Sequence, residues 1–112
     1  MKPELFDGIE LLANFAEVNL KAGDLGSIVE KYDNGDYEVE FENQQGETIA
    51  LVTLKPEQFI VVWQYTNHAW VPLADRIHAM LEILPEDQQK QVLDFTRSQV
   101  LDCTRSLHRV PA

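Results

Sequence analysis

The sequence has 112 residues, of which 45% are hydrophobic and 25% are charged, a composition typical of one small globular domain or of such a domain with an appendage. Nineteen acidic residues against nine basic ones give a formal net charge of −10, which argues against a surface that binds nucleic-acid phosphates. The single cysteine excludes a disulfide scaffold and a four-cysteine zinc site. No apolar run approaches the roughly 18 residues of a membrane span, and the opening residues lack the apolar core of a signal peptide. We therefore expect a cytoplasmic protein.

The first half of the chain is predicted to form five short strands separated by tight turns. The strand candidates are residues 8–13, 27–32, 37–42, 47–54 and 59–63. Residues 37–42 alternate without interruption, which places aromatic and β-branched side chains on one face and three glutamates on the other. The Asn34-Gly35 pair before this strand is a strong hairpin signal. Five strands this close together predict an SH3-like barrel, with an OB-fold as the alternative.

The second half changes to helical periodicity. Residues 64–70 are predicted to be a linker, and apolar residues then recur at spacings of three and four from Leu73 to Leu84. Pro85 ends this first helix and can open a second one, whose apolar stripe runs from Val92 to Leu107.

The predicted fold class is therefore α+β, mostly β with an α tail. Residues 1–63 form a five-stranded SH3-like barrel, residues 64–70 a linker and residues 71–112 a two-helix hairpin. The helices pack either on their own barrel or in a homodimer with a second chain, and the sequence leaves both arrangements open.

Negative charge is concentrated in the predicted barrel. Residues 1–63 contain 13 acidic and four basic residues, whereas residues 64–112 contain six and five. The acidic side chains that we assign to one candidate partner-binding surface are Asp33, Asp36, Glu38, Glu40 and Glu42. This surface either serves only solubility or docks on a basic protein, whose association it would accelerate.

Three aromatic residues lie near the predicted junction of barrel and helices: Trp63, Tyr65 and Trp70. Large aromatic side chains at such a junction either pack the two parts together or anchor a partner. We include Trp63 and Trp70 in the candidate partner-binding site.

No motif in the sequence predicts catalysis, a metal or a cofactor. The histidines 68, 78 and 108 and Cys103 lack the paired spacing of zinc ligands. Cys103 lies at helical spacing from Val100 and Leu107, so we predict a buried, inert thiol. The chain is therefore predicted not to be an enzyme. A small hydrolase that uses a pair of carboxylates remains a third alternative, since any strand could present such a pair.

Three blocks of sequence resemble a bacterial family called domain of unknown function 4926. They are Leu-Lys-Ala-Gly-Asp-Leu-Gly-Ser-Ile-Val-Glu at 20–30, Tyr-Glu-Val-Glu-Phe at 37–41 and Ala-Leu-Val-Thr-Leu-Lys-Pro-Glu at 50–57. The resemblance covers residues 5 to 62 approximately, and it implies a small acidic protein with an SH3-like barrel. Residues 84–95 are also similar to the helix of a second family, domain of unknown function 2281, which implies an antitoxin-like protein.

Charge, aromatic residues and resemblance together predict a non-enzymatic interaction protein. The first hypothesis is an antitoxin-like or immunity-like protein that docks on a basic protein, such as a ribonuclease-like toxin. The second is an accessory or assembly subunit that acts as a structural adaptor in a larger bacterial complex.

Overall fold

The structure, a computed structural model, describes residues 2–107, with side chains up to residue 105. The chain divides into two compact units, one that extends to Met80 and one that begins at Leu81. The first unit contains the whole β-sheet. The predicted α+β class, mostly β with helices at the end, is confirmed.

The first unit is built on one antiparallel sheet of six strands. In chain order these are β1 (Gly8–Leu11), β2 (Leu25–Lys31), β3 (Tyr37–Glu42), β4 (Thr48–Leu54), β5 (Phe59–Gln64) and β6 (Ala69–Trp70). Their order across the sheet is β4-β3-β2-β1-β5-β6. β3 has the predicted bounds, and β1, β2, β4 and β5 differ from the prediction by one or two residues at one end or both.

The core lies against one face of this sheet, called here the inner face. On β3 the side chains of Tyr37, Val39 and Phe41 are buried there, whereas Glu38 and Glu40 point to the opposite, outer face. The alternation of residues 37–42 therefore separates a buried face from a glutamate face, as expected from a period of two residues. The buried cluster consists of Ile9, Leu11, Leu20, Ile28, Tyr37, Val39, Phe41, Leu54, Phe59, Val61 and Val71.

The sheet is open, which corrects the predicted closed barrel of five strands. Within residues 2–107, β4 forms a ladder only with β3, and the other edge is the short sixth strand. A 3-10 turn at Pro56–Gln58 separates β4 from β5, and β5 pairs with β1 instead. Proline at the start of this turn has no N–H to donate to a ladder, which favours a strand end at this point.

β6 lies within the segment predicted to be a linker. Trp63 and Gln64 at the end of β5 pair with Trp70 and Ala69 of β6. The connecting residues 65–68 lack the glycine and proline that mark turns, and His68 takes the left-handed conformation at φ 48°. This turn therefore carries no strong sequence signal.

Two helices follow, α1 (Leu73–Ile83) and α2 (Glu86–Leu107). Leu84 and Pro85 separate them, and the Gln89 side chain donates hydrogen bonds to the backbone carbonyls of Leu81 and Leu84, at 2.7 and 3.2 Å. The Leu81 carbonyl also accepts a hydrogen bond from the Leu84 N–H at 3.1 Å, so the Gln89 side chain adds to the bonds that close the end of α1. The predicted hairpin runs to residue 112, and its residues 108–112 lie outside the described part of the chain.

Candidate protein-interaction surface

Three glutamates line β3 on or beside the outer face, and we call Glu38, Glu40 and Glu42 the acidic row. Thr53 donates a hydrogen bond to Glu38 at 3.0 Å, and Thr48 donates one to Glu40 at 2.8 Å. Both threonines belong to β4, so hydroxyl groups of the neighbouring strand orient the two carboxylates. Glu38 and Glu40 thus lie on the face that the alternation predicts, and hydrogen bonds from β4 orient their carboxylates.

Glu30 of β2 adds a further carboxylate beside the acidic row. It is the direct cross-strand neighbour of Glu38, and like charges in such pairs oppose each other. The Tyr32 hydroxyl donates to the second oxygen of Glu38 at 3.2 Å. Burial, followed by the charge of Glu38, raises the pKa of Tyr32 above its usual value. The phenol therefore stays a hydrogen-bond donor to Glu38 at neutral pH.

The predicted residues Asp33 and Asp36 lie in the hairpin that joins β2 to β3. Asn34 accepts a hydrogen bond from the Asp36 N–H at 3.0 Å and donates one to the Asp36 carboxylate at 3.2 Å. Gly35 has φ 94°, a conformation that glycine adopts without strain. Asp33 is exposed and Asp36 half-buried, so both extend the negative charge to this end of the sheet.

Trp63 and Trp70 are brought together as a cross-strand pair of β5 and β6. They line a groove of about 330 Å³, which we call the tryptophan groove, with Gly8, Ile9, Leu25, Gly26 and Val62 as the other lining residues. Trp70 is 63% exposed, and the Arg76 guanidinium lies 5.8 Å from the centre of its ring. An exposed tryptophan beside an apolar groove has the character of an interface anchor.

The acidic row and the tryptophan pair lie on the same face of the sheet. The strand registers join Trp70, Trp63, Gly8, Ser27, Glu40 and Leu51 in one cross-strand row. Residues directly opposite each other in neighbouring strands share a face. Three strand spacings separate Glu40 from Trp63, roughly 14 Å at about 4.8 Å per strand. The structure thus brings both groups of predicted residues onto one surface but leaves them at separate ends.

Sequence reasoning missed several residues of this surface. Leu25 falls outside the predicted strand of residues 27–32, but it begins β2 and lies exposed beside the tryptophan groove. Gly8 leaves room for a tryptophan, since a Cβ atom on it would lie 3.1 Å from the Trp63 Cβ. No local pattern signals this approach, because the register of β1 against β5 creates it.

The cysteine prediction is wrong. Cys103 is exposed, and Val100, one of the residues that placed it on an apolar stripe, is exposed as well. Helical spacing shows which residues share a face, but it does not show that anything covers that face.

Nowhere in residues 2–107 do three His, Cys, Asp or Glu side chains come together in a position to hold a metal ion. None of the helices in this range combines the length and apolar character needed to cross a bilayer.

A family model matches residues 5–61, and its description is Domain of unknown function (DUF4926). The chain belongs to this family. The match covers β1 to β4 and the first residues of β5, and therefore includes the acidic row. The comparisons with curated proteins and with solved structures find no match for the chain. The resemblance of residues 84–95 to domain of unknown function 2281 stays a prediction.

Proposed function

We propose that this member of the DUF4926 family is a non-enzymatic interaction protein that docks through the outer face of its sheet on a basic protein. The observation that carries the proposal is the single cross-strand row that joins Glu40 to Trp63 and Trp70. A partner that bears a cationic patch roughly 14 Å from an apolar side chain would engage both ends of the surface at once.

The charge of the chain supports this kind of partner. Residues 1–63 carry a net charge of −9, and the acidic row, Glu30 and the two hairpin aspartates lie on neighbouring strands or the turn between them. A concentrated field of one sign accelerates association with a partner of opposite sign, and added salt weakens the effect. The tryptophan groove would supply affinity that does not depend on salt.

Within this proposal, the most specific role is that of an antitoxin-like or immunity-like protein of the bacterial cytoplasm. A toxin that acts on an anionic substrate such as RNA needs a basic surface, and an acidic protein can cover that surface.

We also propose that β1 to β5 correspond to the five strands of an SH3-like domain. Each of the strands β1 to β4 pairs with the next one along the chain, and β5 returns to pair with β1.

The test is co-purification from the native host with three forms of the chain: the unmodified chain, the triple variant Glu38→Gln, Glu40→Gln and Glu42→Gln, and a control. The control, Glu17→Gln, Glu57→Gln and Glu86→Gln, removes the same charge from exposed positions outside the acidic row. We expect one small basic protein, bound roughly tenfold or more weakly by the first variant than by the control. Affinity should fall as salt rises, and co-expression should rescue growth from that protein.

Equal weakening by the two triple variants would contradict docking through the acidic row, because total charge alone would then explain binding. Affinity that does not change with salt would contradict it as well.

A second candidate function, the assembly adaptor, is favoured by one observation on α2. Four of its apolar side chains are exposed: Leu93, Phe95, Val100 and Leu101. Exposed apolar groups on one helix favour a protein contact. An adaptor would co-purify at fixed stoichiometry without rescuing growth, and a homodimer through the helices would sediment as two copies of this chain.

A further inference from the structure

β4 is an edge strand whose outer side has no partner in the described part of the chain. Its ladder joins it to β3 alone, and no other backbone hydrogen bond within residues 2–107 involves Thr48–Leu54. Its seven residues contain no charge, no proline and no glycine. Ile49 and Leu51 are 56% and 58% exposed. Natural edge strands are usually protected by charges, prolines, bulges or short length. β4 has no charge or proline and is not short, and its one register irregularity, opposite Phe41 and Glu42, leaves residues 50–54 as a regular edge.

The opposite edge of the sheet differs in length. β6 has only two residues, so it offers few backbone groups to an added strand. β4 offers a full strand of average length. β4 is therefore the edge at which an extended segment can form the larger number of backbone hydrogen bonds with this sheet.

The acidic row determines which segment fits there. Glu40 pairs with Leu51 and Glu38 with Thr53, so the two carboxylates lie one strand inward from the edge, on the outer face. A strand added to β4 would lie about 9.6 Å from β3, two strand spacings. The long side chains of Lys and Arg on the added strand can span much of this distance toward the carboxylates.

A second copy of this chain would lack such complementarity. Pairing of two β4 strands would join two chains of net charge −10, with their acidic rows roughly 14 Å apart. No basic residue of β4 would offset this, since the strand has none. Charge thus favours a basic segment over a second copy.

We propose that β4 accepts an extended, basic segment of a partner protein as an additional antiparallel strand. Alternate Lys or Arg side chains of the segment lie on the outer face toward Glu38 and Glu40. Its apolar side chains lie on the inner face, next to Ala50 and Val52, which pack against the core. This inference rests on the proposed function, because it specifies how the acidic surface holds its basic partner.

The experiment uses the full chain and capped synthetic peptides that match β4 in length. The probe alternates Lys and Val, and one control peptide alternates Glu and Val. A second control is the Lys-Val peptide with every amide N-methylated, which keeps its charge but offers no N–H donor at either edge of the strand. Binding is measured by calorimetry, and amide hydrogen exchange is followed residue by residue by NMR.

We expect the Lys-Val peptide to bind at least about tenfold more tightly than either control peptide. Its binding should slow amide exchange within Thr48–Leu54. The variant Leu51→Lys should weaken binding, because it places a cation where the Lys side chains of the peptide would lie. Ile77→Lys is the matched control, since Ile77 is 55% exposed, close to the 58% of Leu51, but lies on α1 outside the sheet.

Equal affinity of the N-methylated peptide would overturn strand addition but leave acidic docking intact, which separates this inference from the proposed function. Peptide binding without slower exchange in β4 would also overturn it. Protection of β4 that grows with protein concentration in the absence of peptide would overturn it in favour of a second copy.

Discussion

The same residue type is buried in the sheet and exposed on the helix α2. Phe41 on β3 is 1% exposed within the core, whereas Phe95 on α2 is 65% exposed. Both lie in segments with a clear amphipathic period, one of two residues and one of helical spacing. The difference shows that a period predicts which side chains share a face, while burial depends on whether another element covers that face.

The two regions also differ in the range of their polar contacts. Asp7, the buried acid of the sheet unit, accepts hydrogen bonds from the Glu4 N–H at 2.9 Å and from the Tyr65 N–H at 3.0 Å. The Tyr65 bond joins residues 58 positions apart. On α2, by contrast, Asp94 pairs with Arg97 three positions later. The polar contacts of Asp7 therefore join distant parts of the sheet unit, whereas that of Asp94 joins residues within one turn of the helix.

The largest expected effect is the contrast between two phenylalanine substitutions. Phe41→Ala should lower the free energy of unfolding by about 3 to 5 kcal/mol, because it leaves a cavity in the core. Phe95→Ala should change it by less than about 0.5 kcal/mol, as exposed substitutions usually do. Urea unfolding of the full chain measures both. Similar losses for the two variants would show that Phe95 is covered in solution.

A smaller loss of stability is expected when the sheet unit is shortened at its C-terminal end. Val71 lies in the buried core, and its N–H donates to the Val62 carbonyl at 2.9 Å. A fragment that ends at Met80 keeps Val71 and β6, whereas one that ends at Trp63 loses both. We expect the shorter fragment to be less stable by about 2 to 4 kcal/mol in urea unfolding. Equal stability of the two fragments would mean that the folded unit ends at residue 63, the predicted boundary.

Changing one aspartate in each region should give a further, smaller contrast. Asp7→Asn puts an amide NH₂ against one of two backbone N–H donors, so it should cost about 1 to 3 kcal/mol. Asp94→Asn removes only an exposed ion pair and should cost less than about 0.5 kcal/mol. Thermal and urea unfolding at neutral pH test this pair. A large loss for Asp94→Asn would contradict the distinction between long-range and local contacts.

The smallest effect concerns the ionisation of Tyr32 beside the acidic row. In a Tyr37→Phe, Tyr65→Phe background, ultraviolet titration should give a pKa above the usual value of about 10. Burial is the larger cause and Glu38 the next, so Glu38→Gln should lower the pKa only in part. Because the folded-state pKa is raised, this contribution to stability is complete below the unfolded-state pKa and is lost as pH rises through the folded-state value. The control Glu86→Gln should leave the titration unchanged, and an equal shift in both variants would contradict a local effect of Glu38.

Predictions from sequence succeeded where the signal was local. The alternation in residues 37–42 identified β3 and its acidic outer face, and Asn34-Gly35 identified the hairpin before it. The two helices follow from helical spacing and from Pro85. β6 was not predicted, because its two residues pair only with the end of β5. The turn of residues 65–68 between β5 and β6 contains no glycine or proline.

Closure of the sheet could not be derived from the strand count. Five strands are enough for a barrel, but closure requires a ladder between strands that are distant in sequence. The structure pairs β5 with β1 and with β6 and leaves β4 as an edge. The same register places Trp63 opposite Gly8, which a sequence pattern alone does not reveal.

The sequence alone determined the family, the strand and helix content, and the concentration of negative charge in residues 1–63. These properties depend on residue type and short spacing, which local chain geometry converts directly into faces. Only the tertiary structure decided that Glu40 and Trp63 share the outer face, that β4 pairs with β3 alone among the described residues and that Cys103 is exposed. Each of these depends on pairing or packing between distant segments, which no window of the sequence encodes by itself.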